Sequence, residues 1–160
     1  MDSITITLLA DFPDQLEQVY HAIPEQFRNW RPPSWDGIPS EPFTPIEQIC
    51  HVRDIEIEGY HVRLRRTLDE DNPDLASIDS IRVTAERAYA SENPANVFDA
   101  LRRAREATLD LLSGLTPAQL DRPARFEGPT TLRGLAHFLC SHDQQHLAGL
   151  QWLMAKSRAA

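Results

Sequence analysis

Cysteine is nearly absent from this sequence: Cys50 and Cys140 are the only two in 160 residues. Two are too few for the disulfide framework of a secreted domain. Long apolar runs are missing too, since none approaches the ~20 residues that cross a bilayer, and no membrane partner is expected. The opening residues, Met1-Asp2-Ser3-Ile4-Thr5, lack the charged start and apolar core of a secretory signal. A reducing cytoplasm is therefore the expected location. Positive charge is in short supply, with 16 Lys and Arg against 24 Asp and Glu and a net charge of -8. Affinity for nucleic acid comes largely from Lys and Arg neutralising phosphates, so no nucleic-acid partner is expected. Arg102, Arg103 and Arg105 form a local basic cluster that reads, beside Glu106, as a solvated helix face. Glycine is sparse as well, at 6, whereas 12 prolines fall between long periodic stretches. That pattern suits helices joined by stiff loops.

A chain of this length is most simply one domain, spanning 1–160, with enough residues to bury a core unaided. Asp11-Phe12-Pro13 reads as a cap and early-turn proline opening a helix through about Trp30. Leu16, Val19, Tyr20, Ile23 and Phe27 form its apolar stripe. Pro24 should kink or split it, and Ile4 to Leu9 could be a strand or the helix's first turns. Arg31 to Phe43 holds four prolines and cannot be regular helix. Thr44-Pro45-Ile46-Glu47 combines a cap, a proline at the first helical position and a capping-box Glu, starting a second helix to about Thr67. The segment from Asp69 to Pro94 is long, with at most a short helix around Ile81 to Tyr89. Ser91-Glu92-Asn93-Pro94 opens a third helix, striped by Val97, Leu101, Ala104, Thr108, Leu111 and Leu112 and ended at Gly114. A short helix from Thr116-Pro117 to Leu120 follows, then the break at Gly128-Pro129. Thr130 or Thr131 caps a fourth long helix to about Lys156. The expected fold is all-α: a four-helix bundle with a long crossover between helices two and three.

The chemistry concentrates in Cys140-Ser141-His142-Asp143-Gln144-Gln145-His146-Leu147. Four residues advance a helix by roughly 40°, so His142 and His146 leave one face a turn apart and can reach one metal ion. Leu135, Leu139, Gly149, Leu150 and Leu153 lie within about a quarter-turn on either side, so the pair points inward. The metalloprotease pattern would need Glu immediately after the first His; Asp143 stands there, which excludes that class. Taken alone, the pair fits metal ligands and hydrogen-bonded core residues equally.

Helix two supplies a third inward histidine. Around His51, Ile55 lies roughly 40° away, Glu58 and Val62 about 20°, and Asp54 about 60°. His61 falls about 80° off and His137 sits roughly opposite His146, so these and His21 are read as non-ligands. His51, His142 and His146 make a neutral set of three that would leave further metal positions for water or substrate. Asp54 and Glu58 are the candidate base or supporting carboxylates, with a buried salt bridge to an Arg of another helix as the competing role for Asp54. Asp143 turns about 100° from the histidine pair, toward structure or surface. Cys50 and Cys140 turn away from their neighbouring histidines and read as packing residues. Trp35 could close over the site or anchor the core. Leu147, Gln151 and Met154 form an outer stripe that would serve either a homodimer seam or a neighbouring helix.

The chain resembles the DinB/YfiT-like superfamily of metal-dependent enzymes. The resemblance rests on the approach from Trp35 to Pro45, His51-Val52-Arg53-Asp54-Ile55-Glu56 and Glu70-Asp71-Asn72-Pro73. It continues in Glu127-Gly128-Pro129-Thr130-Thr131-Leu132 and, most specifically, His142-Asp143-Gln144-Gln145-His146-Leu147-Ala148. It implies a four-helix bundle in which His51, His142 and His146 ligate a divalent metal. Zn or Ni is expected first, with Fe or Mn as further candidates, although ligand type does not fix the metal, since imidazole suits Zn, Ni, Fe and Cu alike. Characterised branches of the superfamily include transferases and isomerases whose metal activates a low-molecular-weight thiol such as mycothiol or bacillithiol. A small-molecule substrate follows, by thiol transfer or by hydrolysis, since both use the same three ligands. The competing class is a non-catalytic metal-binding bundle with a structural or interaction role.

Overall fold

Asp2 opens the first helix: its side chain accepts the Thr5 N–H at 2.8 Å. The computed structural model describes residues 1–159, and in it α1 runs from Ser3 to Ala22. Ile4 to Leu9 are therefore helical, and Asp11, expected as the cap, lies mid-helix. Pro13 is tolerated inside α1 for a specific reason. Its missing N–H frees the Leu9 carbonyl, and Arg105 Nη1 donates to that carbonyl at 2.8 Å. The helix stops before Pro24, with Ile23 extended at φ -78 and ψ 125, because a residue preceding proline is driven out of the helical region. Only a short 3-10 turn, Glu25–Phe27, remains of the expected stretch to Trp30.

Helix two starts as read. Thr44 and Glu47 form a reciprocal capping box with Pro45 in the first turn. It comprises α2 (Pro45–Asp54), a π-helical turn (Ile55–Tyr60) and α3 (His61–Asp69). The π turn inserts one residue into the helical phase, so every angle counted from His51 across it is shifted. Val62, about 20° from His51 on a continuous α-helix, is 48% exposed; Arg63, about 120° away by that count, is 4% exposed. Removing the inserted residue from the count returns Arg63 to about 20° from His51.

The crossover from 70 to 93 carries α4 (Ser80–Glu86) and a 3-10 turn, Tyr89–Ser91. Asn93 caps α5 (Pro94–Ser113) by accepting the Ala95 N–H. A single-turn α6 (Pro117–Leu120) leads into a ribbon absent from the sequence reading, in which β1 (Pro123–Arg125) pairs antiparallel with β2 (Pro129–Thr131). Glu127 and Gly128 take positive φ to turn it. Thr131 caps α7 (Leu132–Ser157). No helix among the described residues is long and apolar enough to cross a membrane.

α1 packs between α5 and α7, and helix two also packs between α5 and α7, so α1 and helix two lie diagonally across the bundle. The apolar interior falls into two clusters. One holds Phe12, Tyr20, Ile49, Phe98, Leu101, Leu150 and Leu153; the other holds Leu9, Leu64, Leu112, Leu132, Leu135 and Leu139. Along helix two, α5 and α7 the junction between clusters is polar: His51 and Glu56, Arg105 and Thr108, and His142, Asp143 and His146, of which only His142 is not fully buried. That polar layer contains the candidate site.

Candidate metal centre

His51, His142 and His146 each present a ring nitrogen to a common point, with the three atoms within 4.8 Å of one another. The Nε2 atoms of His51 and His142 lie 3.2 Å apart and those of His142 and His146 3.1 Å apart. Two nitrogens bound to one ion at ~2.1 Å, at roughly 90–110°, would be ~3.0–3.4 Å apart. The spacing therefore suits a cation at the centre of the three rings.

The tautomer of His146 is dictated by its neighbours. Gln48 Nε2 donates to Ser40 Oγ at 2.8 Å, to the Glu41 carbonyl at 3.1 Å and to the Phe43 carbonyl at 3.4 Å. Carbonyls only accept, so the amide nitrogen must face them and Gln48 Oε1 is left to accept from His146 Nδ1. With its proton on Nδ1, neutral His146 aims the Nε2 lone pair at the cluster. Burial favours the neutral form of all three rings: the pKa of His51 is lowered to about 4 and that of His142 to about 3. His146 falls well below the usual histidine value, by burial first and then by its two neighbours. Neutral imidazoles with converging lone pairs repel one another unless a cation lies between them. The donor chemistry and the spacing both fit a divalent metal.

The loop before helix two completes the site. Gly149 on α7 admits it: a methyl group there would come 2.2 Å from Ser40 Oγ and 3.3 Å from Gln48 Nε2. The close approach brings Glu41 Oε2 to 3.3 Å from His146 Nε2 and Glu41 Oε1 to 3.8 Å from His51 Nε2. His51 and His142 line a pocket of about 250 Å³, with His146 buried behind them. Glu41, Tyr60, Arg63, Phe126 and Glu127 are among the residues around it.

The chain belongs to the DinB superfamily. Its family profile matches residues 8–150. Among solved structures the chain is similar to YfiT from Bacillus subtilis, with 19% sequence identity and a TM-score of 0.82. The match covers 96% of this chain and 87% of that one. YfiT is described as a probable metal-dependent hydrolase with an unusual four-helix bundle topology. No curated protein matches this chain.

Within that DinB fold the histidines of the sequence reading meet, but the carboxylates are redistributed. Asp54 lines neither the pocket nor the ring of nitrogens. It accepts from Arg53 Nε at 2.7 Å, from Tyr89 Oη at 2.5 Å and from Arg87. Those bonds hold its carboxyl below the usual range against the opposing effect of burial. Glu58 lies outside the pocket, its side chain 47% exposed and paired with Arg87 at 2.9 Å. The π turn between His51 and Glu58 is the cause, because it rotates Glu58 off the face that α geometry assigns it. The carboxylate at the histidines is Glu41, from an irregular loop for which no helical phase could be counted.

Arg105 is the other correction. It is 2% exposed, not solvated, and its guanidinium meets Glu56 at 2.7 Å and Asp143 at 2.7 Å. Its place four residues after Leu101 and three before Thr108, on the inward stripe, was the legible signal. Asp143 takes the structural role, back-to-back with His142. The remaining histidines are elsewhere: His61 bonds Ala104 and Thr108 on α5, His21 neighbours Glu17 and His137 neighbours Asp2. Trp35 stacks on Trp152, away from the pocket lined by His51 and His142. Leu147 and Met154 pack against the first apolar cluster. Cys50 is buried, its thiol pushed up to about 12 by burial, and neither cysteine lines the pocket.

Proposed function

We propose that this chain is a metal-dependent enzyme acting on a small molecule, with His51, His142 and His146 holding one divalent ion, Zn or Ni. The observation that supports this most is the convergence of three neutral imidazoles, two of which, His51 and His142, line an open pocket. A divalent ion held there supplies Lewis-acid activation of a nucleophile from solution, either water or a small thiol. The chain itself places no cysteine thiol in the pocket lining. Gln48 fixes the tautomer and tilt of His146, as residues behind metal ligands commonly do. Glu41 borders the open side, where its carboxylate can accept a hydrogen bond from the nucleophile and orient it. The walls from Tyr60 and Phe126 exclude water from one flank.

Hydrolysis and thiol transfer separate by cosubstrate. Zn-loaded and Ni-loaded protein is assayed on a panel of small esters and amides and of activated electrophiles, each with and without a low-molecular-weight thiol. Turnover that needs metal but no thiol marks a hydrolase, and turnover that needs both marks a thiol transferase. Either activity should vanish in His51→Ala. Full metal occupancy without turnover in any arm would instead support the non-catalytic metal-binding bundle.

A further inference from the structure

Arg63 is a cation that the chain buries without an ion pair, the Glu127 carboxylate acting on it only through space from the same pocket. Only 4% of it is exposed, and among the described residues no carboxylate pairs with it. Its hydrogen bonds run to one acceptor: Nε and Nη2 both donate to the Ala76 carbonyl, at 3.3 and 3.1 Å. Tyr60 and Phe126 hold the guanidinium by their ring faces, 5.0 and 4.3 Å from Cζ. Nη1 lies against Gly59, where an added methyl would come within 3.0 Å of it. Arg105, the other fully buried arginine of the bundle middle, meets two carboxylates. A buried charge left without a partner is costly. Arg63 lines the same pocket as His51 and His142, and the π turn is what places it there.

We propose that the pocket's ligand carries a carboxylate, received by the Arg63 guanidinium while the rest of the ligand reaches the histidines. The assignment of the histidine end rests on the metal-dependent reading above; the Arg63 end does not. A monoanion fits better than a phosphate. With a divalent ion bound, Arg63 set against Glu41 and Glu127 leaves one net positive charge in the lining, so this choice of monoanion over phosphate rests on the metal reading too. A planar carboxylate also matches the fork of a single guanidinium held flat between two rings. The competing role is structural: Arg63 ties the crossover at Ala76 to helix two, which would affect stability but not the choice between charged and neutral ligands.

Butyrate and butyramide, equal in size and different in charge, test this by chemical-shift titration of the metal-free and Zn-loaded protein. 3-Mercaptopropionate and its amide are titrated in parallel. Butyrate is expected to bind at least ~10-fold tighter than butyramide, as suits a charge-assisted pair. The preference should persist without metal, fall to about 1-fold in Arg63→Met and be intermediate in Arg63→Lys. A preference in both probe pairs assigns the carboxylate to the substrate, and one confined to the mercapto pair assigns it to a thiol cosubstrate. Equal binding within each pair by the native protein, or a preference unchanged in Arg63→Lys and Arg63→Met, overturns the proposal. Metal content is measured on the same samples. Failure to bind Zn with the butyrate preference intact would remove the metal reading and leave Arg63's role standing.

Discussion

Two polar clusters meet back-to-back in the middle of this bundle, built from the same two helices and finished in opposite ways. His51 and Glu56 come from helix two; His142 and Asp143 are consecutive on α7. On one side Glu56 and Asp143 close on Arg105, which also caps the carbonyl freed by Pro13, and Thr108 donates to Glu56 at 2.7 Å. On the other side three imidazoles bring their Nε2 atoms together, 3.2 Å from His51 to His142 and 3.1 Å from His142 to His146, beside a pocket. The first cluster draws its partners from within the chain and is buried throughout, with Asp143 Oδ1 the one carboxylate oxygen left without a hydrogen bond. The second turns three ring nitrogens toward one point beside an opening, where a metal could be held. A buried polar group that is fully partnered specifies a packing; one held open, oriented and dry specifies a ligand.

The largest expected effect breaks the closed side. Arg105→Met leaves two carboxylates buried without their cation and the Leu9 carbonyl without its donor. It should cost ~3–5 kcal/mol, the range for one-sided loss of a buried pair, read as a lower urea midpoint. Chelation sharpens the contrast from the open side. With free Zn at about 100 times its Kd, stripping the metal should lower stability by ~2.7 kcal/mol. That difference should disappear in His142→Ala, whose stability should not respond to Zn.

Gln48→Leu tests how the open side is kept in register. It frees the His146 tautomer and should weaken metal binding ~10–100-fold, the usual cost of losing a partner behind a ligand. Competition with a calibrated chelator measures it, and circular dichroism should show the helices unchanged. Asp54→Asn carries the smallest effect. Because hydrogen bonds from Arg53, Tyr89 and Arg87 lower the folded-state pKa of Asp54, its contribution is present at neutral pH and lost as pH falls through that lowered value. The variant should be destabilised by ~1 kcal/mol at pH 7, with the gap to the native protein closing in acid. Metal binding should be unaffected, in keeping with an Asp54 that braces the crossover and does not serve the histidines.

Local chemistry made much of this legible. The Thr44–Glu47 box, Asn93-Pro94 and Thr131 each announce a helix start through their own side-chain bonds, and all three are caps in the structure. The inward stripe of α7 placed His142 and His146 correctly because α7 is regular α-helix throughout. What escaped lay where a fixed 100° step does not hold. The π turn moved Glu58 out and Arg63 in. Glu41 sits in a proline-rich loop without a period, brought to the site by Gly149's missing side chain. The ribbon of β1 and β2 is too short for alternation to show. Arg105 was hidden differently: its burial depends on Glu56, Asp143 and Leu9, contributed by three other segments of the chain.

The central claim is that the open cluster holds a metal. Its most direct test is elemental analysis of tag-free protein, purified without added metal, beside His142→Ala and Arg105→Lys. The account predicts about one Zn or Ni per chain in the native protein, none in His142→Ala, and native-like occupancy in folded Arg105→Lys. No metal in the native protein, even after incubation with Zn or Ni, would contradict it and leave the three histidines as core residues.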